Sequence, residues 1–422
     1  MIVRFDTNEK RFYLYLAILF IFFYIFRILS KNYFLVDSYE YIEIAKFISN
    51  QMFFDSSINP SLLTKRPFFY PLFLSFLLKF KIEIIILIQT FFAFSNSFIL
   101  VQILKKFNIQ IKPYHVLFFL LTPSIFIYSQ LVMSELLILF LITLLFYLYS
   151  VHFHWKNIKY AQVIITILAF TKPVFYPFVF VNLTLMLVYF FKVKRFNFWV
   201  LLPVLSVLLY INYNQKKFGY KHFSSMENKN LIYYNLYYFK AKNESKEIAD
   251  QWISNVNDSL RDKNQKETND FLKVVAYDEI KVNFFSYTFY HISTGIRGVF
   301  DPGRFDLKTF IAKEDGRQGF LEILNGNKPF SSLFSNKSWM LIYTLLIPIF
   351  LALLFKWFHF FKFYLTKKRS FSEYFFLVFI GYYVLITGPV NCSRYMMPLQ
   401  LVLVAFVLVS VNENRLKNAS QN

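Results

Sequence analysis

The stretch 159–191, KYAQVIITILAFTKPVFYPFVFVNLTLMLVYFF, decides the fold class. A helix that crosses a bilayer needs about 20 predominantly apolar residues, or somewhat fewer. The stretch is therefore long enough for two short spans, which break near Thr171-Lys172-Pro173. It predicts a chain that crosses a membrane more than once.

The composition of the whole chain supports the same class. Of its 422 residues, 56% are hydrophobic, 22% are aromatic and only 17% are charged. A water-soluble fold needs more polar surface than this, so an ordinary globular or a disordered chain is excluded. The single cysteine, Cys392, excludes an internal disulfide framework and a cysteine-rich zinc site.

The positions of the charged residues indicate the topology of a membrane protein. They do not indicate a nucleic-acid partner. Lys and Arg outnumber Asp and Glu by 46 to 25, which gives a formal charge of +21. A nucleic-acid-binding protein would cluster these bases on one soluble face. Here they lie largely in short loops between apolar runs, the pattern that marks the cytoplasmic side of membrane proteins.

The apolar runs predict an all-α polytopic membrane protein with about ten transmembrane helices. The candidate spans are 12–29, 83–104, 113–131, 134–153, 159–172, 173–191, 196–213, 338–357, 371–389 and 395–411. Residues 1–214 would form an N-terminal transmembrane bundle, 215–337 a mainly helical extracytoplasmic region, and 338–422 the C-terminal transmembrane helices. The apolar run 67–80 is too short to cross and predicts an interfacial or re-entrant helix.

The basic loops place the N-terminus in the cytoplasm. Alternation of the spans then puts five segments on the outer face: 30–82, the Ser134-Glu135 turn, the break at Lys172, the polar stretch 215–337 and the turn 388–394. A site needs its parts on one side of the membrane, so these segments are its candidate sources.

Residues 33–71 carry the most specific signal. Asp37 fits the N-cap of a helix, where a short acceptor side chain satisfies free N–H groups. The alternative is a carboxylate held at the membrane surface and available as a general base. Glu40 and Glu43 are expected to be solvated. Apolar residues at helical spacing predict an amphipathic helix on the outer face: Tyr41, Ile44, Ala45 and Ile48.

A set of motifs follows in chain order. Asp37 comes after the first span and precedes Arg66-Pro67-Phe68-Phe69-Tyr70-Pro71; Ser134-Glu135-Leu136, Thr171-Lys172-Pro173 and Arg394-Tyr395-Met396-Met397-Pro398 follow. In this order they resemble the polyprenyl-phosphate-sugar-dependent glycosyltransferases of the GT-C fold. That family includes protein O-mannosyltransferases and the lipid A aminoarabinose transferase. The resemblance covers most of the membrane part and implies a GT-C-like bundle.

The resemblance also implies an activity. Asp37 would be the catalytic base that deprotonates an acceptor hydroxyl as it attacks the anomeric carbon of a polyprenyl-phosphate-linked sugar. Glu135 would bind the acceptor or a divalent metal. The alternative role of Glu135 is that of an acid at the N-terminus of a helix, where its charge stabilises the helix dipole. A metal is possible and none is certain. The acceptor is a glycan, a lipid or a protein.

Three basic residues could hold the phosphate of the donor. Arg66, Lys172 and Arg394 each lie at the outer end of an apolar segment, where a lipid-linked phosphate would sit. Arg matches phosphate through its planar fork, and Lys acts as a point charge. The alternative for each is contact with the headgroups of membrane lipids.

Residues 291–306 read as a loop, within a loop-like part 291–330 that follows helical patterning at about 245–286. Its glycines and Pro302 mark tight turns. The loop could close over the sugar or the acceptor, or it could tie the polar stretch to the bundle. Its candidate residues for substrate contact are His291, Arg297, Asp301 and Arg304.

Two other functions remain open. A polysaccharide polymerase or ligase acting on lipid-diphosphate oligosaccharides would share the apolar spans and large outer loops. A transporter of lipid-linked sugars would need internal repeats and broken helices with charges near mid-membrane, and the break at Lys172 is the only such hint. From the family and the compact loops we expect the bacterial inner membrane, with the site facing the periplasm or the cell exterior.

Overall fold

The computed structural model describes residues 6–50, 60–151, 155–312, 337–366 and 369–419, and these five ranges are helical and without a strand. The N-terminal helices are α1 Thr7–Ser30, α2 Val36–Ser49, α3 Pro60–Lys65, α4 Phe69–Leu77, α5 Ile82–Lys106, α6 Val116–Leu120, α7 Pro123–Ser129, α8 Glu135–Val151, α9 Ile158–Thr171, α10 Phe178–Val193 and α11 Leu201–Phe218. Those that follow are α12 Glu227–Asn230, α13 Tyr237–Asn243, α14 Lys246–Asp258, α15 Gln265–Val282, α16 Phe284–Val299, α17 Arg304–Ala312, α18 Lys337–Leu365, α19 Phe371–Thr387, α20 Ser393–Met396 and α21 Gln400–Ala419.

The described residues contain seven helices that are long and apolar enough to cross a membrane. These are α1, α5, α10, α11, α18, α19 and α21, some of them lengthened by a flanking turn. The chain is therefore an all-α polytopic membrane protein. Helix α8 is as apolar but shorter, so a count of ten spans stays a prediction.

Proline decides two of the helix breaks. The break predicted at Thr171-Lys172-Pro173 is confirmed, because α9 ends at Thr171 and Lys172 has an extended backbone. The predicted span 113–131 is not one helix. Pro123 begins α7, and a residue before proline is disfavoured in the helical conformation, so the chain turns at Thr122 between α6 and α7.

The packing of the bundle brings distant parts of the chain to one place. Helix α5 packs along α8, and α18 packs along α21. The turn Met397–Leu399, which leads into α21, packs against α8. Because α8 begins at Glu135 and this turn follows Arg394, the two residues meet at one end of the bundle.

The polar stretch has a small apolar core of its own. Helices α14 and α15 lie where helical patterning predicts them. Their buried side chains pack with those of the segment before α14 and of α16: Ile232, Leu236, Phe239, Val256, Leu272, Ala276, Tyr287 and Tyr290. Residues 313–336 of this stretch, and 51–59 of the segment 30–82, lie outside the described residues.

The predicted loop 291–306 is wrong for most of its length. Residues 291–299 form the second half of α16, and α17 begins at Arg304. Gly295 and Gly298 serve close packing instead of turns. A Cβ atom on Gly295 would lie 2.9 Å from the carbonyl oxygen of Val384, and one on Gly298 only 2.5 Å from that of Asn391. Of the three glycines only Gly303, at φ +87°, makes a turn.

Candidate functional site

Asp37 lies in the first turn of α2 and does not cap it. Leu35 occupies the N-cap position, and its own N–H donates to Ser38 Oγ at 2.9 Å. The Asp37 carboxylate is therefore available to other partners. Its Oδ1 accepts from Arg66 Nη2 at 2.8 Å, and its Oδ2 accepts from Arg394 Nη2 at 2.5 Å.

Glu135 is the first residue of α8 and is fully buried. Its Oε1 accepts from Arg394 Nε at 2.5 Å and from Lys172 Nζ at 3.0 Å. The Lys172 ammonium also lies over the ring of Tyr395, 4.3 Å from the centroid. Arg394 thus bridges the two carboxylates, and the extended backbone at Lys172 places a second cation beside Glu135.

Two further charged residues extend this group. Glu40 accepts from Arg66 Nε at 2.7 Å and from Lys65 Nζ at 2.5 Å. Glu40 was expected to be solvated; it is three residues from Asp37, and such residues share a helix face. The spacing of three residues between Asp37 and Glu40 was the signal by which the sequence could have placed Glu40 in this group. Glu43 is exposed as expected. The ion network consists of Asp37, Glu40, Lys65, Arg66, Glu135, Lys172 and Arg394.

The cations control the protonation of Asp37. Burial would raise the pKa of its carboxyl group, but Arg394 and Arg66 lower that pKa to about 2. Burial would lower the pKa of Arg66, but Tyr41, Asp37 and Glu40 together raise it. Asp37 is therefore an ionised, weak base in this arrangement. The Asp37 and Arg394 side chains keep 20% and 17% of their surface exposed, so the network reaches solvent.

A set of neutral contacts fixes α2 against the turn before α8. The Tyr41 hydroxyl is 3.0 Å from Ser134 Oγ, and the Tyr41 ring meets Tyr70 edge-on at 4.8 Å. The Tyr70 hydroxyl donates to Gln89 Oε1 at 3.0 Å. Tyr70 belongs to the same motif as Arg66, so this motif both supplies a cation and anchors it.

The donor set does not fit a resident divalent cation. Among the residues that the structure describes, no three His, Cys, Asp or Glu side chains converge as metal ligands. Both oxygens of Asp37 and one oxygen of Glu135 already accept from Arg or Lys, whose charge would repel a cation. Glu135 Oε2 is buried and has no hydrogen-bond partner within the described ranges. One free oxygen suits a hydroxyl donor better than a metal.

Of the four residues predicted in the 291–306 loop, only Asp301 lies next to the ion network. Its Oδ2 accepts from the backbone N–H of Ser393, the residue before Arg394, at 2.9 Å. His291 Nε2 lies 2.8 Å from the carbonyl oxygen of Leu385, so His291 joins two helices. Arg297 is exposed on α16, and Arg304 begins α17. His291 and Arg297 belong to α16, Arg304 belongs to α17, and Asp301 lies in the short turn between these helices, so the four do not form the predicted loop.

Asp306 marks a second polar cluster that the sequence did not indicate. Its Oδ1 accepts from the Tyr128 hydroxyl at 2.6 Å, and its Oδ2 accepts from Ser393 Oγ at 2.7 Å. The residue is 2% exposed. Burial raises the pKa of Asp306 to about 7, although its two hydroxyl donors oppose that rise.

Lys356, in the apolar helix α18, lies close to the Asp306 cluster. Its ammonium is fully buried and donates to Thr122 Oγ1 at 2.6 Å and to Gln400 Oε1 at 2.8 Å. These two partners line one small cavity together with Asp306 and Ser393. A lysine inside an apolar span marks a functional or structural polar contact, so Lys356 and its neighbour Lys362 could have been singled out from the sequence.

Comparison of the chain with protein-family models, with curated proteins and with solved structures gives no match in any of the three.

Proposed function

We propose that the chain is an inverting glycosyltransferase with a GT-C-like arrangement of helices. It moves a sugar from a polyprenyl-phosphate carrier to an acceptor hydroxyl, on the extracytoplasmic face of the bacterial inner membrane. The observation that supports this most is the ion network. Three cations from separate parts of the chain, Arg66, Lys172 and Arg394, meet the carboxylates Asp37 and Glu135 at one end of the bundle.

The cations would bind the phosphate of the donor by exchange. Arg394 and Arg66 are held by carboxylates and keep a fraction of their surface open to solvent. An incoming phosphate offers the same acceptor geometry as a carboxylate and can accept two parallel N–H bonds from one Arg. Donor binding therefore replaces some carboxylate contacts with phosphate contacts and needs no new cation.

This exchange would also activate the base. With both Arg partners in place the pKa of Asp37 is about 2, too low for efficient proton removal. When Arg394 turns to the phosphate, Asp37 loses its strongest stabilising charge and its pKa rises. The carboxylate therefore becomes basic only when a donor is bound.

The chemical step then follows. The acceptor oxygen attacks the anomeric carbon from the face opposite the phosphate, and its proton passes to Asp37 Oδ. The bond between the anomeric carbon and the phosphate oxygen breaks, and the electron pair leaves with the polyprenyl phosphate. The cations stabilise that developing charge, so the leaving group needs no proton. Glu135 Oε2, which is buried and has no hydrogen-bond partner within the described ranges, would accept a hydrogen bond from a sugar or acceptor hydroxyl that reaches it.

The test is transfer of radiolabelled sugar from polyprenyl phosphate in membranes that contain the Asp37→Asn chain. Loss of a positioned base lowers turnover by about 10²–10⁴-fold. The matched control is Glu43→Gln, an exposed carboxylate on the same helix, which should leave turnover unchanged. Full turnover by a well-expressed Asp37→Asn chain would reject the base assignment.

The same preparation separates the other two functions. A polymerase or ligase would use a lipid-diphosphate oligosaccharide and leave the monophosphate donor untouched. A transporter would move the labelled lipid between leaflets of sealed vesicles without forming a new glycosidic product. Either result would contradict the proposal.

A further inference from the structure

Helix α16 belongs to the polar stretch, yet it carries a continuous apolar stripe. Its exposed apolar residues follow a spacing of four, three and four positions, so they fall on one narrow face of the helix. They are Phe285, Phe289, Ile292 and Ile296, with 85%, 75%, 40% and 50% of their surface exposed. A water-facing helix does not normally present two aromatic and two β-branched residues in one row.

The opposite face of α16 is already used. Tyr287 and Tyr290 are buried in the apolar core of the polar stretch, where both pack on Phe239. His291, Gly295 and Gly298 contact the outer end of α19 and the turn after it. The helix is therefore fixed in orientation, and the stripe points away from the protein.

The stripe runs along a helix that is attached to the end of a membrane span. Helix α19 is a membrane span, and Leu385 and Ile386 near its outer end are 49% and 40% exposed. The carbonyl of Leu385 lies 2.8 Å from His291 Nε2, and the Asn391 side chain donates to the carbonyl of Gly295 at 2.7 Å. The C-terminal half of α16 is thus held directly against the place where α19 leaves the membrane.

Charged residues lie at both ends of the stripe. Lys281 precedes α16 and Arg297 lies in its last turn, and both are exposed. Helices that lie in the surface of a bilayer combine an apolar face with basic residues that reach the headgroups. Sixteen residues give α16 a length of about 24 Å, enough to lie along the surface and too short to be a span.

We propose that α16 lies in the outer leaflet, with Phe285, Phe289, Ile292 and Ile296 among the acyl chains. The polar stretch is then not a domain held clear of the membrane. It rests on the bilayer through this helix, beside α19. The inference does not depend on the proposed enzymatic activity.

The test uses spin labels on single cysteines in the full chain, with Cys392→Ser as background, reconstituted in lipid nanodiscs. Labels at Phe289→Cys and Ile296→Cys should collide more often with oxygen, which dissolves in acyl chains, than with a water-soluble nickel chelate. Leu351→Cys, on the lipid-facing side of α18, is the membrane control, and Ser254→Cys, exposed on α14, is the aqueous control.

Two results would overturn the proposal. Nickel collisions as frequent as at Ser254→Cys would place the stripe in water. Low collision with both reagents would mean that a second copy of the chain or another protein covers it. Because a cysteine variant can misfold, Phe289→Trp offers a conservative second measurement. Lipids brominated on their acyl chains should quench its fluorescence, after subtraction of the signal of the parent chain, and absence of quenching would count equally against the proposal.

Discussion

The ion network and the Asp306 cluster lie side by side, and they shift the pKa of a carboxyl group in opposite directions. Asp37 faces two Arg side chains, which lower its pKa to about 2. Asp306 faces two hydroxyl groups, and burial raises its pKa to about 7. The two acids are joined through consecutive residues, because Ser393 donates to Asp306 and Arg394 donates to Asp37.

Asp306 is the more deeply buried of the two acids, and the partners of each acid decide whether its carboxyl group keeps its charge despite burial. Hydroxyl groups satisfy hydrogen bonds but do not offset the cost of moving a charge out of water. Cations offset it, at the cost of fixing the carboxylate in its ionised form. The ion network is therefore suited to exchange one anion for another, and the Asp306 cluster is suited to hold α20 in place.

The largest effect is expected from Arg394→Ala, because this residue bridges Asp37 and Glu135. The substitution leaves the fully buried Glu135 with Lys172 as its remaining cation. Removal of one partner from a buried ion pair costs about 3–5 kcal/mol. Unfolding in detergent micelles should show a loss of this size, together with loss of sugar transfer. Arg297→Ala removes an exposed Arg and should leave the free energy of unfolding unchanged. Equal losses in both variants would show that the loss does not come from the bridge.

An intermediate effect is expected from Asp306→Asn, and it depends on pH. The pKa of Asp306 is raised in the fold from its ordinary 3.8 to about 7, so the protonated form stabilises the fold. That contribution is complete below about pH 4 and is lost as the pH rises through 7. A pKa difference of this size corresponds to at most about 4 kcal/mol in the free energy of unfolding.

The measurement compares the free energy of unfolding of the two chains between pH 4 and pH 7. The parent chain should lose stability relative to Asp306→Asn as the pH rises. Asp37 does not contribute to this slope, because its lowered pKa confines its own effect to pH values below about 4. Parallel pH curves for the two chains would show that Asp306 does not titrate in this window.

The smallest effect is expected from Lys65→Ala, at the edge of the ion network. The Lys65 side chain is 30% exposed where it pairs with Glu40. Exposed ion pairs contribute about 0–1 kcal/mol, so the free energy of unfolding should change by less than that. Sugar transfer should be nearly normal, since Arg66 keeps its bonds to both Asp37 and Glu40. A loss comparable to that of Arg394→Ala would extend the essential part of the network to its rim.

Much of the bundle could be predicted because apolar length and proline act locally. The break at Lys172 and the start of α8 at Glu135 follow from such signals. The span predicted at 113–131 fails for a related reason. An average of hydropathy over this run is hardly changed by one proline. The backbone is changed, because Pro123 disfavours the helical conformation at Thr122.

The candidate site was predictable only in part. The rule that basic loops lie in the cytoplasm, together with the alternation of the predicted spans, groups Asp37, Arg66, Glu135, Lys172 and Arg394 on one face. The fold brings these five residues into one ion network. No such rule pairs Asp306 with Tyr128, because that contact depends on how α17 packs on α7.

The glycines of α16 show a further limit of sequence reasoning. Gly295 and Gly298 were interpreted as turn residues, but they are needed where two backbones approach closely. Both roles exploit the missing Cβ atom, and a single sequence does not tell them apart.

The wide spacing of the ion network has a consequence for how the protein is made. Glu135 meets Lys172 after only 37 further residues have been synthesised, but it meets Arg394 only after 259. At roughly 10 residues per second, the nascent chain spends about 20 s with one cation at Glu135 before the second leaves the ribosome. Asp37 and Arg394 are 357 residues apart in the sequence, so their ion pair also forms only late in synthesis. A chain that terminates before Arg394 would lack the residue that bridges Asp37 and Glu135, and Lys172 would be the one cation of the ion network left at Glu135.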